Sequence, residues 1–262
     1  MKKTIFIGII GVLCASLFLS SSVSAVGDKS ISWYCVRNKE HKQPTADKEL
    51  SIVEQYNCYY VDKAHADYNG ERVIYLTFDA GYENGNIEKI LNVLREEQVS
   101  AAFFILENLV KKNKELVIRM ADEGHIVANH TAFHKDITKF TSKEELSNEL
   151  EALNSVYREA TGRELSKYFR PPEGRFSSKS LEYLSELGYK TIFWSIAYAD
   201  WDNNNQPSAE IAKKKIFDNI HNGAVILLHP TSSTNAEIIK DVIKALKNEG
   251  YRFGTLDELT RS

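Results

Sequence analysis

Val73-Ile74-Tyr75-Leu76-Thr77-Phe78-Asp79-Ala80-Gly81 is a β-branched and aromatic run that stops at a carboxylate and a glycine. The apolar residues that follow it, Ile87, Ile90, Leu91 and Leu94, recur at helical spacing, so the segment reads as a strand leading into an amphipathic helix. The alternation then repeats. Strands are expected at 101–105, 126–128, 168–170, 191–195, 225–228 and 251–253, with helical stretches between most of them. The clearest helix begins at Ser142, where Ser142 and Glu145 have the capping-box spacing and Leu146, Leu150, Leu153 and Tyr157 form an apolar stripe. Gly188 and Gly250 follow two further helical stretches, in the position where a left-handed residue closes a helix. Seven such units predict an α/β fold with a parallel sheet and helices outside it, and a chain of 262 residues favours closure into a barrel over an open sheet.

Upstream of this domain, which takes residues 72–262, residues 26–71 are polar and turn-rich with scattered Tyr and Trp. They read as an extension that wraps the barrel. Residues 1–25 have another character: Met1-Lys2-Lys3, an apolar run from Thr4 to Leu19, then Ser20-Ser21-Ser22-Val23-Ser24-Ala25. This is the charged, apolar and small-residue succession of a secretory signal peptide, so export and a secreted or cell-wall location are expected. The alternative is an uncleaved anchor, for which the run is short against the ~20 residues that a span requires. Cys14 follows Leu13, where a lipoprotein signal carries a small residue, which argues against lipidation.

Beyond the leader only Cys35 and Cys58 remain. In an exported protein a disulfide between them is chemically permitted; two free thiols are the alternative, and the choice depends on a Cα separation. Apolar residues at 43% are ample for one large core, and a net charge of −3 without a Lys/Arg stripe argues against a nucleic-acid partner. No protein partner is indicated.

In a barrel of this kind reactive groups sit just past the strands, where the C-terminal ends converge on one mouth. That rule selects Asp79 after the first strand, His130 and His134 after the third and Arg170 at the end of the fourth. Asp200 and Trp201 follow past the fifth, and His229 ends the sixth. Two histidines four residues apart can ligate one metal ion in a helical or turn-like stretch, a carboxylate can take a proton from water, and a further histidine can protonate a departing amine. Singly, each has an ordinary explanation as well: an Asp after a strand also suits a helix cap, Arg170 a surface ion pair and His229 a packed core histidine. His125, which begins a strand, reads as structural, and His41, His65 and His221 receive no chemistry.

The order of the segments adds a further reading. Thr77-Phe78-Asp79-Ala80-Gly81, His130-Thr131-Ala132-Phe133-His134, Arg170-Pro171-Pro172-Glu173-Gly174, Ala199-Asp200-Trp201 and Leu227-Leu228-His229 resemble the five ordered motifs of the polysaccharide deacetylase (NodB-homology, carbohydrate esterase) family over residues 73–253. The resemblance implies a distorted (β/α)7-8 barrel and hydrolysis of a sugar acetamide. It implies a divalent metal, zinc above all, on His130 and His134, Asp79 as general base held by Arg170, and His229 as general acid tuned by Asp200. Tyr82, Trp201 and the backbone N–H of Glu173 would meet the substrate.

Two positions depart from the family pattern. Ala80 stands where a second Asp usually serves as third metal ligand, and Ala197 where the fourth motif usually starts with Asp; alanine ligates nothing, so metal affinity should be lower. Gly81-Tyr82-Glu83-Asn84-Gly85, the stretch Ser195 to Trp201 and the opening Ser32-Trp33-Tyr34 with Asn38-Lys39-Glu40-His41 look like the muramic acid de-N-acetylases that lead to muramic δ-lactam of spore cortex. That resemblance makes the peptidoglycan glycan strand the expected partner. The alternatives are a deacetylase of N-acetylglucosamine in peptidoglycan or chitooligosaccharides, and a sugar-binding protein that has lost catalysis, the latter suggested by Ala80 and Ala197.

Overall fold

The computed structural model describes residues 29–37, 40–66 and 70–261; the leader expected at 1–25 lies outside them. Four two-residue strands come from the extension: β1 (Ile31–Ser32), β2 (Cys35–Val36), β3 (Thr45–Ala46) and β4 (Cys58–Tyr59). The run that opens the domain forms β5 (Arg72–Ala80), followed by β6 (Ala102–Ile105), β7 (Ile126–Asn129) and β8 (Ser166–Phe169). The remaining strands are β9 (Arg175–Phe176), β10 (Lys190–Ile192), β11 (Ala224–Leu228) and β12 (Tyr251–Phe253). The helices between them are α1 (Ile87–Glu96), α2 (Glu107–Lys112), α3 (Lys114–Asp122), α4 (Lys143–Thr161), α5 (Ser178–Glu186), α6 (Ala209–Phe217), α7 (Ser233–Asn248) and α8 (Leu256–Leu259). None of the helices among the described residues is long and apolar enough to cross a membrane.

Strand alternation in β5 sorts the molecule into layers. Ile74, Leu76, Phe78 and Ala80 pack outward with Ile87, Ile90, Leu91 and Leu94 of α1 and Ile239, Val242 and Ile243 of α7. Val73 and Tyr75 face inward with Phe104, Ala128, Tyr168 and Val225, filling the barrel. Since side chains at i and i+2 share a face, Thr77 and Asp79 continue the inward row, and Asp79 emerges at its upper end.

The parallel sheet runs β11-β5-β6-β7-β8-β10-β4, with β12 also on β5. Closure between β10 and β11 is incomplete. β10 stops at Ile192, short of the 191–195 expected from sequence, and beyond it the β11 side is joined by hydrogen bonds between Ser195 and Val225 and an isolated Ile196–Ile226 bridge. The extension closes the rest of the seam: β4 pairs parallel with β10, Thr191 opposite Cys58, while Val61 bridges Ala224. The barrel is therefore distorted as expected, and part of the extension is a strand of it, which a reading of 26–71 as a wrapping segment did not foresee.

At the start of α4, Ser142 caps the helix by accepting from the Glu145 N–H at 3.2 Å. The Glu145 carboxylate reaches the Thr141 N–H at 2.7 Å, one residue before the reciprocal partner of a capping box. Gly188 and Gly250 take φ of 78° and 88° beyond α5 and α7, as their positions imply. Cys35 and Cys58 are free thiols, so the bridge permitted by the sequence is not made. Burial pushes them up to about 11 and about 12 respectively.

Candidate active site

Every residue selected by its place after a strand except Arg170 and Asp200 lines one cavity of about 630 Å³ at the upper mouth: Asp79, His130, His134, Trp201 and His229, joined by Tyr82 and Glu173. Arg170 and Asp200 lie directly behind that wall, hydrogen-bonded to Asp79 and His229.

Arg170 follows β8 and is fully buried. Its Nη1 donates to Asp79 Oδ1 at 2.8 Å, Nη2 to Thr77 Oγ1 at 2.8 Å, and Nε to the Ile192 carbonyl at 3.0 Å, while the guanidinium lies 4.2 Å from the Phe104 ring centroid. A surface ion-pair role is thereby ruled out for it. Burial alone would raise the Asp79 carboxyl, but Arg170, with help from His130 and His229, brings it below the usual carboxylate value. Burial lowers Arg170, which still remains a cation. The pair is thus an ionised carboxylate held in one orientation, with Oδ2 left for the cavity.

That Oδ2 lies 3.6 Å from His130 Nε2. His130 Nδ1 is 2.7 Å from the Arg170 carbonyl oxygen; a carbonyl only accepts, so Nδ1 carries the proton and Nε2 the lone pair. Burial lowers the His130 pKa to about 4, which keeps the ring neutral at physiological pH. His134 stands beside it with ring centroids 5.1 Å apart. The His130–His134 stretch is a turn rather than a helix, with φ of 70° at Thr131 and 56° at His134. The two neighbouring imidazoles, His130 with its Nε2 lone pair free of a proton, are ligand types that suit a divalent cation. Among the described residues no group of three or more His, Cys, Asp or Glu side chains is arranged to hold one, and Ala80, in the third position, is buried in the outward-facing layer.

Across the cavity Asp200, 1% exposed, fixes His229. Oδ1 accepts from the ring Nδ1 at 2.7 Å, Oδ2 from the His229 backbone N–H at 2.8 Å and from Asn235 Nδ2 at 2.6 Å. Asn235 in turn donates to the His229 carbonyl at 3.0 Å and accepts from the Tyr198 hydroxyl. Burial opposes protonation of His229, but the hydrogen bond and charge of Asp200 prevail and its pKa ends above the ordinary imidazole value. His229 is therefore not a packed core histidine. Trp201, 62% exposed, sets its ring 6.2 Å from that of His229, and Tyr82, also on the cavity lining, accepts from Asn203.

Glu173 adopts φ 56° and ψ 14° in the turn after Pro172, and its carboxylate pairs with Arg175 at 2.6 Å. Sequence reasoning missed Thr77, Tyr198 and Asn235. Thr77 was within reach of it, two residues before Asp79 on the same strand face; Asn235 was not, because it occupies the first turn of α7, where Asn is an ordinary residue. His125 is structural as read, packed edge-on against Phe103 with Nδ1 accepting from the Ala101 N–H at 3.2 Å.

The polysaccharide deacetylase family model matches residues 66–192, and Bacillus subtilis peptidoglycan-N-acetylmuramic acid deacetylase PdaA is 39% identical over 252 residues, 95% of this chain and 94% of that protein. The chain belongs to the polysaccharide deacetylase family. A solved structure of B. subtilis PdaA, a family 4 carbohydrate esterase, matches with a TM-score of 0.83 at 39% identity, covering 89% of this chain and 98% of that one. A Bacillus cereus peptidoglycan-N-acetylglucosamine deacetylase is 31% identical over 234 residues, 86% of this chain and 82% of that protein. Membership gives the chain its reaction class, hydrolysis of the amide of an N-acetylated sugar.

Proposed function

We propose that this polysaccharide deacetylase removes the acetyl group from N-acetylmuramic acid in peptidoglycan, yielding acetate and a free sugar amine, as a step towards the muramic δ-lactam of spore cortex. The observation that carries the chemistry is the placing of two oppositely tuned groups on one cavity: a carboxylate bound by Arg170 at 2.8 Å, which lowers its pKa, and an imidazole bound by Asp200 at 2.7 Å, which raises its pKa. An amide hydrolase needs this pair, since one group must take a proton from water and the other must give one to the leaving nitrogen.

In this reading the acetamide enters between Tyr82 and Trp201, whose rings offer the apolar faces that sugar C–H surfaces prefer. Asp79 Oδ2 accepts the proton of the attacking water as the new C–O bond forms. His229 Nε2 gives its proton to the nitrogen as the C–N bond breaks, and Asp200 stabilises the imidazolium until then. The Glu173 backbone N–H serves the developing oxyanion. His130 and His134 would hold a divalent metal, zinc by the chemistry of two imidazoles, which when bound polarises the carbonyl and lowers the pKa of water. The muramic preference is supported by the extent of likeness to PdaA. The secretory leader expected from the sequence of residues 1–25 supports a site of action outside the cytoplasm, at the wall.

Acetate release from a defined glycan containing N-acetylmuramic acid, with and without chelator, tests the proposal. Release from muramic residues with retention of glucosamine acetyl groups supports it; loss of acetyl from glucosamine alone would overturn the muramic assignment in favour of the glucosamine reading.

A further inference from the structure

N-acetylmuramic acid differs from N-acetylglucosamine by a lactyl ether on O3, next to the carbon that bears the acetamide. Where its carboxyl is free, the substrate brings an anion to the cavity that already holds the Asp79 carboxylate. No Lys or Arg lines that cavity, and the cations nearest in the chain to its lining residues are mostly committed. Arg170 is spent on Asp79, Arg175 pairs with Glu173 at 2.6 Å and Asp136 at 3.4 Å, and Lys135 pairs with Glu149 at 2.6 Å.

Arg37 is different. It lies in the extension and is exposed, it has no carboxylate partner among the described residues, and its Nη1 donates to the Ala197 carbonyl at 3.4 Å. Ala197 is part of the cavity wall. The extension reaches this point because three of its alternate side chains climb the same wall: Trp33 Nε1 donates to the Trp194 carbonyl at 2.9 Å, Cys35 Sγ to that of Ser195 at 3.5 Å, and Arg37 to that of Ala197. Its other side is pinned by the Trp33 N–H to the Gly174 carbonyl at 2.8 Å and by the pairing of β1 with β9. Trp33, 5% exposed and stacked on Phe193, anchors the segment. The ribbon thus carries a guanidinium to the backbone of a residue that lines the cavity.

We infer that Arg37 is a specificity-determining residue that binds the lactyl carboxylate of the muramic substrate through charge-assisted hydrogen bonds. The inference rests on the muramic reading above and adds the group that recognises it. Guanidinium is suited to the task because its planar donors match a carboxylate pairwise. The geometry also gives the extension a part in substrate choice besides closing the barrel seam.

The test is steady-state acetate release by the full chain and by Arg37→Ala and Arg37→Lys on two glycans. One carries muramic residues with free lactyl carboxylates, and the other is the same glycan with each carboxylate converted to a neutral methylamide. Arg37→Ala should raise KM for the first about tenfold with kcat nearly unchanged, the size of one charged hydrogen bond. Arg37→Lys should recover part of it. The parent should lose affinity for the methylamide to the same degree, and Arg37→Ala should not distinguish the two glycans. An unchanged kcat shows that the variant is folded. A parent that treats both glycans alike, or an Arg37→Ala variant with parental KM on the free acid, would overturn the inference while leaving the muramic reading in place. A parent that releases no acetate from either glycan but does so from an N-acetylglucosamine oligomer would overturn both.

Discussion

Asp200 grips His229 twice, Oδ1 accepting the ring Nδ1–H at 2.7 Å and Oδ2 the backbone N–H at 2.8 Å. The double contact sets the tautomer, leaves Nε2 for the cavity and holds the pKa above that of a free imidazole despite burial. Asp200→Asn keeps the shape but removes the charge. Because the protonated ring is the active form, activity falls as pH rises through its pKa, and loss of Asp200 moves that alkaline limb to lower pH. At neutral pH kcat should fall by about 10²–10⁴. The pH–rate profile of the variant checks it, and an unmoved limb would remove His229 from the acid role. Linkage has the same sign: the raised pKa contributes stability that is fully present below about 6.5, the unfolded value, and is lost as pH rises through the folded one.

Asp79→Asn should abolish measurable acetate release and also destabilise the fold, since it leaves a fully buried guanidinium without its counter-ion. The cost of breaking a buried pair from one side is about 3–5 kcal/mol, readable from urea unfolding at pH 7. Here the pKa is depressed. The stabilisation is therefore present above about 3.9, the unfolded carboxyl value, and disappears as pH falls through the folded one. Parent and variant should converge in stability in acid. Parallel curves across that range would refute the ionised pair.

The strand that decides the fold was legible because β5 carries two signals at once, a β-branched run and a change to helical period at Ile87. Its last inward residue, Asp79, could be placed at the mouth from strand alternation alone. The role of the extension was not legible: two-residue strands such as β4 carry no period, and their pairing is decided by the gap that β10 and β11 leave. Asn235 and Tyr198 were hidden for another reason. Each acts through Asp200 or its neighbours across the sequence, and neither residue type announces such a role.

His130→Ala should cut zinc uptake in equilibrium dialysis by a hundredfold or more, on the order expected for a lost ligand in a site with two protein nitrogens. His134→Ala should do the same, and the double variant should bind no zinc above background. A double variant that retains parental zinc content would dissociate the metal from this pair of rings, 5.1 Å apart.

Cys35 and Cys58 should react slowly with an aromatic disulfide reagent at pH 8, because burial holds their pKa at about 11 and about 12 and the thiolate is the nucleophile. In denaturant both should react at once. Absence of titratable thiol in the unfolded chain would instead mean that the bridge had formed.

The turn after Pro172 ties the cavity to the extension at a single glycine. Gly174 has φ 63°, and a Cβ there would fall 2.6 Å from Trp194 Cη2 and 3.1 Å from Trp33 Cβ. Gly188 has φ 78° with nothing within 4 Å of its added Cβ. Both substitutions to alanine incur left-handed strain of about 1–2 kcal/mol, but only Gly174→Ala adds an overpacking cost of about 1–3 kcal/mol. The excess of Gly174→Ala over Gly188→Ala in thermal unfolding therefore reports the close packing of this turn against Trp194 and, to a lesser degree, Trp33. Since Trp194 and Glu173 both line the cavity, Gly174→Ala should also raise KM, whereas Gly188→Ala should leave it unchanged. Equal effects of the two substitutions on stability and KM would mean that the packing of this turn against Trp194 and Trp33 does not shape the site.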